Sequence, residues 1–147
     1  MRLAGARHAK ILSLALRWVL GGVFIVAGGL KVFEPAKFAI AVENYRLLPP
    51  ELVNLEAITL PWIELTAALF LIAGLWERAS ALVITVLCAG FFFAIAAALV
   101  RGLNIECGCF GTVGGRKVGL TGLAFDTVLL VMAAWLTWRA SEEVKQT

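Results

Sequence analysis

Residues 79–100 read ASALVITVLCAGFFFAIAAALV, and this stretch decides the fold. It contains no Asp, Glu, Lys or Arg. Because an α-helix rises about 1.5 Å per residue, a helix of this length spans roughly the 30 Å hydrocarbon core of a bilayer. The stretch therefore predicts a transmembrane helix.

Three further apolar runs have similar lengths, at residues 12–33, 57–76 and 118–138. The whole chain has 147 residues and is 61% hydrophobic and 16% charged, which is more apolar than a soluble domain of this size requires. We therefore predict an all-α fold, an integral membrane four-helix bundle that forms a single transmembrane domain over residues 1–147. Several glycines in the first and fourth runs would let helices approach closely, namely Gly21, Gly22, Gly28, Gly29, Gly119 and Gly122.

The segment between the first two runs, residues 34–56, has a helical pattern of its own. Pro35 can open a helix, and Phe38, Val42 and Tyr45 recur at helical spacing before Pro49 and Pro50 interrupt it. The pattern predicts a short amphipathic helix at the membrane interface.

Basic residues near the start of the chain indicate its orientation. Arg2, Arg7, Lys10 and Arg17 favour a cytoplasmic N-terminus. We expect the first run to be retained as a span, because it exceeds a signal-peptide core and lacks a small-residue cleavage site before Lys31. Up-and-down topology then places the C-terminus and a tight Glu77-Arg78 turn in the cytoplasm. The loops 34–56 and 101–117 would face the periplasm of a bacterial inner membrane.

The net charge of +3 suits anionic lipid headgroups, and the expected partner is the lipid bilayer. No basic stripe with interleaved aromatic residues points to nucleic acid. Arg17 is expected to extend to cytoplasmic headgroups.

Two acids and two bases lie in or beside the predicted spans. Glu64 and Asp126 would both lie on the order of 10 Å below the outer surface, and Lys31 and Arg101 end spans at that same face. Charged groups in the membrane usually face the bundle interior. They would form either two ion pairs that join helices or a polar pocket that handles protons or a quinone headgroup.

Cys107 and Cys109 are separated only by Gly108, and three interpretations compete. A structural disulfide closing so small a ring would add only about 1.5 kcal/mol before strain. A metal site would need further ligands, and only Glu106 and Asp126 are candidates, since His8 is the only histidine and lies in the basic tail. The residues therefore favour no metal.

The third interpretation is a redox pair, which the flexible Gly108 would allow to form an exchangeable disulfide. Nearby Arg101, Arg116 and Lys117 would favour a thiolate. Cys88, in the middle of the third span, reads as a small packing residue.

Four segments together resemble the methylamine-utilisation MauE family within the wider DoxX-like membrane proteins. They are AGGLKVFEP (27–35), NYRLLP (44–49), PWIEL (61–65) and RGLNIECGCFG (101–111). The matching positions are Lys31, Pro35, Tyr45, Pro49, Glu64, Arg101, Cys107, Cys109, Phe110, Gly111 and Asp126. The resemblance implies a four-helix membrane bundle that acts with a thioredoxin-like periplasmic partner in forming the disulfides of methylamine dehydrogenase. DoxX-like relatives tied to sulfur oxidation also imply a quinone as the candidate cofactor.

The predicted function is thiol–disulfide exchange between the Cys107-Gly108-Cys109 pair and a thioredoxin-like partner, supporting the maturation of exported proteins. Arg101, Phe110, Gly111, Glu64, Asp126 and Lys31 are the predicted supporting residues. Two alternatives stay open: a quinone-interacting subunit of a membrane oxidoreductase, and a non-enzymatic assembly or anchoring subunit.

Overall fold

Helices make up nearly all of the chain that the structure describes. The computed structural model describes residues 2–103, 105 and 119–145, with side chains for 8–103, 105 and 119–142. In chain order the helices are α1 (Arg2–Phe33), α2 (Pro35–Asn44), α3 (Pro50–Ala73), α4 (Glu77–Val100) and α5 (Leu120–Lys145). These ranges contain no strand, and the predicted all-α class is confirmed.

Four of the helices are long and apolar enough to cross a bilayer, over His8–Phe33, Pro50–Ala73, Glu77–Val100 and Leu120–Glu142. Large apolar side chains such as Trp18, Trp62, Val86, Phe93 and Val131 are more than half exposed on the outside of the bundle. An exposed apolar surface that continues over all four helices is expected where lipid is the surrounding solvent.

Helix α3 begins earlier than the predicted second span. It starts at Pro50, where the ring occupies the first helical turn and no amide donor is lost, rather than at Ala57. Glu64 therefore lies near the middle of a long helix. The turn between α3 and α4 is Gly74–Trp76, and Glu77 and Arg78 form the first turn of α4 instead of the turn itself.

The predicted short helix between the first two spans is α2. Pro35 opens it, and its buried residues are Phe38 and Ala41, while Lys37 and Glu43 are exposed. It packs against α3 and against the end of α1. The α2 helix thus covers one end of the bundle.

The four long helices pack as antiparallel neighbours in the order α1, α3, α4, α5, and α5 also contacts α1. The shared core is rich in small side chains, including Ala67, Ala68, Ala81 and Ala133 around Ile84. Small residues let helix backbones approach closely. The resulting van der Waals contacts stabilise helix association in lipid, where the hydrophobic effect does not drive it.

Only some of the predicted glycine contacts occur. A Cβ at Gly21 would lie 2.4 Å from Ile72, and one at Gly28 would lie 3.0 Å from Leu65, so these two glycines allow α1 to approach α3. At Gly22, Gly29 and Gly122 a Cβ would meet nothing within 4 Å. In each of the pairs Gly21-Gly22 and Gly28-Gly29, the first glycine therefore lies in the interface with α3 and the second does not.

Arg17 binds the end of α3 and the start of α4, at the opposite end of the bundle from α2. It does not extend to headgroups as predicted. Its Nε donates to the carbonyl of Leu71 at 2.8 Å, and its Nη2 donates to that of Ile72 at 3.2 Å. Its Nη1 pairs with Glu77 at the start of α4. The guanidinium thus adds hydrogen bonds to carbonyls in the last turn of α3, and its positive charge is favoured there by the helix dipole.

Gly74 lets the chain turn directly beside Arg17. Its φ is +74°, and a Cβ there would lie 2.6 Å from Nη2 of Arg17. We expect Gly74→Ala to destabilise the protein by about 1–2 kcal/mol from the left-handed backbone alone, and by more if Arg17 is displaced. Unfolding in mixed micelles measures this loss. Gly22→Ala is the matched control, and equal midpoints for the two variants would contradict the assignment.

Candidate functional site

A buried ion pair lies where α1 ends. Lys31 is in the last turn of α1 and Glu64 is near the middle of α3, and their Nζ and Oε1 atoms are 2.5 Å apart. Both side chains are 0% exposed. This ion pair joins α1 to α3, as one of the interpretations of the sequence expected.

Two aromatic rings complete the enclosure of the Lys31 ammonium. Nζ lies 5.1 Å from the ring centroid of Phe38 and 4.8 Å from that of Phe91. Both distances are within the range of a cation–π interaction, which is stronger where water is excluded. Four helices, α1 to α4, therefore converge on one buried cation.

Asp126 and Cys88 lie in the same part of the interior. Asp126 is 5% exposed and Cys88 is 0% exposed. The Cys88 thiol interacts electrostatically with both Asp126 and Glu64, which places all three groups close together in the bundle. The structure therefore brings Lys31, Glu64 and Asp126 into one region, as predicted, and adds Cys88, which the sequence suggested only as packing.

Arg101 differs from the buried charges, because it is exposed at the end of the bundle. It follows the end of α4, and its Nη1 donates to the carbonyl of Tyr45 at 3.0 Å and lies 3.4 Å from that of Arg46. These carbonyls follow α2, so Arg101 ties the end of α4 to the end of α2. Its charge is held where the chain leaves the bundle toward the cysteine motif.

The motif itself, Cys107, Gly108 and Cys109, lies outside the described residues, together with Phe110 and Gly111. The described chain leaves α4 at Val100 and enters α5 at Leu120.

An apolar cavity that the sequence did not reveal lies between α2, α3 and α4. Its volume is about 320 Å³, and Glu56 is the one acidic residue among the described residues that line it. The lining includes Phe38, Val42 and Tyr45, the three residues whose spacing predicted α2. Glu56 could have been noticed from its spacing, because Glu56, Leu60 and Glu64 follow one face of α3 at intervals of four residues.

Comparison with known families decides the affiliation of the chain. The model of the family described as methylamine utilisation protein MauE matches residues 9–139. The chain belongs to the MauE family. Together with the four apolar helices, this membership makes it a multi-pass membrane protein.

Two curated members of the MauE family are similar to the chain. The methylamine utilization protein MauE of Methylophilus methylotrophus is 42% identical over 80 residues, covering 54% of this chain and 42% of the relative. That of Methylorubrum extorquens AM1 is 33% identical over 114 residues, covering 71% of this chain and 61% of the relative. The aligned part of the chain thus spans about half the length of these relatives. No solved structure matches the chain.

The buried ion pair gives a direct test of what joins α1 to α3. Removing one partner leaves the other charge buried without compensation, so Lys31→Met or Glu64→Leu alone should cost about 3 to 5 kcal/mol of stability. The double variant should recover most of that loss, since it buries no charge. Unfolding of the four proteins in micelles measures the coupling, and additive losses would contradict the pairing.

Proposed function

We propose that this member of the MauE family is a thiol–disulfide redox protein of the bacterial inner membrane. The Cys107-Gly108-Cys109 motif faces the periplasm and exchanges electrons with a thioredoxin-fold partner, which supports disulfide formation in exported proteins. The observation that carries the proposal is Arg101, a cation fixed at the exit of α4 by two backbone carbonyls and six positions before Cys107 in sequence.

A cation close to a thiol favours the thiolate, which is the better leaving group when a partner attacks the disulfide and the attacking form in the reverse exchange. The guanidinium of Arg101 is exposed, but the carbonyls of Tyr45 and Arg46 hold it in one position at the end of α4. Its position in the sequence and this anchoring support a role in activating the cysteines. The family name supports a role in methylamine utilisation, in which the matured protein is an exported enzyme.

The exchange is a two-electron step in which each sulfur is accounted for. A thiolate of the reduced partner attacks one sulfur of the Cys107–Cys109 disulfide, whose S–S bond breaks, and a mixed disulfide forms. The second partner thiol then attacks the mixed disulfide and leaves the partner oxidised. Cys107 and Cys109 hold the two electrons as a dithiol, after taking up two protons.

In this proposal the Lys31–Glu64 pair has a structural role. Both charges are used within the pair, and both side chains are closed to solvent. The quinone-binding function considered for Glu64 and Asp126 would require Glu64 to exchange its partner during turnover. The contacts of Lys31 with two rings and a carboxylate favour a fixed pair instead.

Trapping the partner tests the redox role. A variant with only one of the two motif cysteines can attack the disulfide of an oxidised partner in the reverse exchange, but it has no second thiol to release that partner. We therefore expect Cys107→Ser or Cys109→Ser to accumulate a covalent complex with an oxidised thioredoxin-fold protein. Non-reducing gels and mass spectrometry identify the complex. Cys88→Ser is the matched control, because Cys88 is fully buried in α4 and should not affect trapping. Normal partner oxidation in a folded double variant would end the proposal.

Labelling of intact cells tests the orientation. A membrane-impermeant thiol reagent should modify the motif cysteines in intact spheroplasts and leave the buried Cys88 unmodified. Modification only after lysis would place the motif in the cytoplasm and remove the compartment on which disulfide formation depends.

The contribution of Arg101 has its own measurement. Arg101→Gln should slow alkylation of the motif thiols at neutral pH several-fold, because less of the nucleophilic thiolate is present. Arg46→Gln is the control, since Arg46 contributes its backbone carbonyl and not its side chain to the contact. Equal alkylation rates for the two variants would show that Arg101 does not activate the thiols. The trapping experiment would keep its meaning in that case.

A further inference from the structure

The cavity between α2, α3 and α4 is placed and shaped to hold a small ligand. Its volume of about 320 Å³ is within the range of pockets that bind small molecules, which is roughly 300–1,000 Å³. Among the described residues its walls are apolar apart from Glu56 and Tyr45, and they include Phe38, Leu60, Val86 and Phe91. A ligand there would be lipid-soluble.

Glu56 gives the cavity one polar feature that its surroundings do not satisfy. Its Oε2 atom is buried and has no hydrogen-bond partner among the described residues. Glu56 is half-buried as a residue, and a buried polar oxygen without a partner is costly, so most such atoms in proteins are paired or hydrated. No described side chain makes the missing hydrogen bond, whereas a ligand in the cavity can.

We propose that this cavity binds the ring of a lipid-soluble quinone, with Glu56 as the hydrogen-bond partner of a ring oxygen. As a carboxylic acid, Glu56 would donate to the carbonyl of the quinone, and as a carboxylate it would accept from the hydroxyl of the quinol. One side chain is therefore complementary to both redox forms. The acyl chain of a phospholipid carries no such oxygen and would leave Oε2 without a partner.

The walls of the cavity favour a flat ring over a flexible chain. Aromatic surfaces come to it from Phe38 of α2, from Phe91 of α4 and from Tyr45, which directly follows α2. Aromatic groups prefer offset or edge-to-face contacts with other rings, which adds to the burial of apolar surface. Phe38 and Phe91 also contact the Lys31 ammonium, so the site is separated from the buried ion pair by these rings.

This site differs from the pocket at Glu64 and Asp126 that the sequence suggested for a quinone. Glu64 already has its cationic partner, and neither acid lines the cavity. Binding at Glu56 does not depend on the proposed thiol exchange. The binding assay below therefore gives the same answer whether or not the motif cysteines exchange electrons with a partner.

Gly90 allows the cavity to be filled without disturbing the fold. It lines the cavity, and a Cβ there would meet nothing within 4 Å. In Gly90→Leu the new side chain should occupy the ligand's space, and it also replaces a poor helix former with a good one. Gly22→Leu is the matched control on α1, since its Cβ would likewise meet nothing.

The probe is a benzoquinone with a short alkyl tail, together with its quinol, added to the purified protein in micelles. We expect saturable binding. Quenching of tryptophan fluorescence or a rise in the unfolding temperature measures it. Gly90→Leu should weaken binding at least about tenfold, and Gly22→Leu should leave it unchanged. Equal binding by Gly90→Leu and the wild type would overturn the proposal.

The role of Glu56 is tested separately. Glu56→Leu should weaken binding of both quinone and quinol about tenfold, which corresponds to the loss of one buried hydrogen bond. Glu56→Gln should retain most of the binding, because an amide can donate to a carbonyl and accept from a hydroxyl. Glu51→Leu is the control, as Glu51 is exposed on the same helix. Equal binding by Glu56→Leu and Glu51→Leu would contradict the assignment of Glu56.

Native mass spectrometry distinguishes a quinone from a membrane lipid as the occupant. Protein extracted gently from membranes should retain a quinone, and Gly90→Leu should lose it. Retention of a phospholipid that Gly90→Leu releases, with no competition from the quinone probe, would overturn the proposal in favour of a lipid site.

Discussion

The arrangement of the helices depends on one buried cation. Lys31 ends α1 inside the bundle, and it is enclosed by Glu64 of α3, Phe38 of α2 and Phe91 of α4. A charge in this environment is tolerated only when it is paired and its surroundings are fixed. The contact therefore specifies how far α1 extends along α3, where α2 must turn, and which face of α4 points inward. The same contact positions part of the cavity wall, because the two rings that enclose Lys31 also line the apolar cavity.

The face of α1 that meets α3 has a regular pattern that explains this precision. Arg17, Gly21, Phe24, Gly28 and Lys31 follow one another at intervals of four and three residues, which is the spacing of a helix–helix seam. The outer two are basic and bind α3 at its end and near its middle. The two glycines between them let the backbones approach, and Phe24 is buried in the core. Polar contacts at both ends and close packing between them thus fix the register of α1 on α3.

The sequence predicted the features that depend on apolar composition. It missed those that depend on the direction in which a side chain points from its helix. The four spans and α2 follow from apolar length and from the spacing of Phe38, Val42 and Tyr45, and all are present. The start of α3 was placed at Ala57, because apolar content rises there, but Pro50 opens a helix whose first turns pack against α2. Hydropathy also could not tell which glycine of each pair faces a neighbour, nor that Arg17 turns toward α3. Glu56 was overlooked because a carboxylate at the edge of a span looks like an ordinary interfacial residue until the fold of α2 covers it.

The polar groups of the bundle therefore fall into separate roles that their positions in the sequence do not distinguish. Glu64 and Glu56 lie on the same face of α3, and each has a buried Oε2 atom without a hydrogen bond to the described residues. They differ because Oε1 of Glu64 is paired with Lys31, whereas Glu56 lines the apolar cavity. A carboxylate that neutralises a fixed cation contributes to folding, and changing its protonation would break the pair. A carboxyl that faces an apolar cavity can change its protonation with the ligand it holds. By this argument the chemistry of a membrane bundle is to be sought at Glu56 and at the cysteine motif beyond α4, and not at the most deeply buried charges.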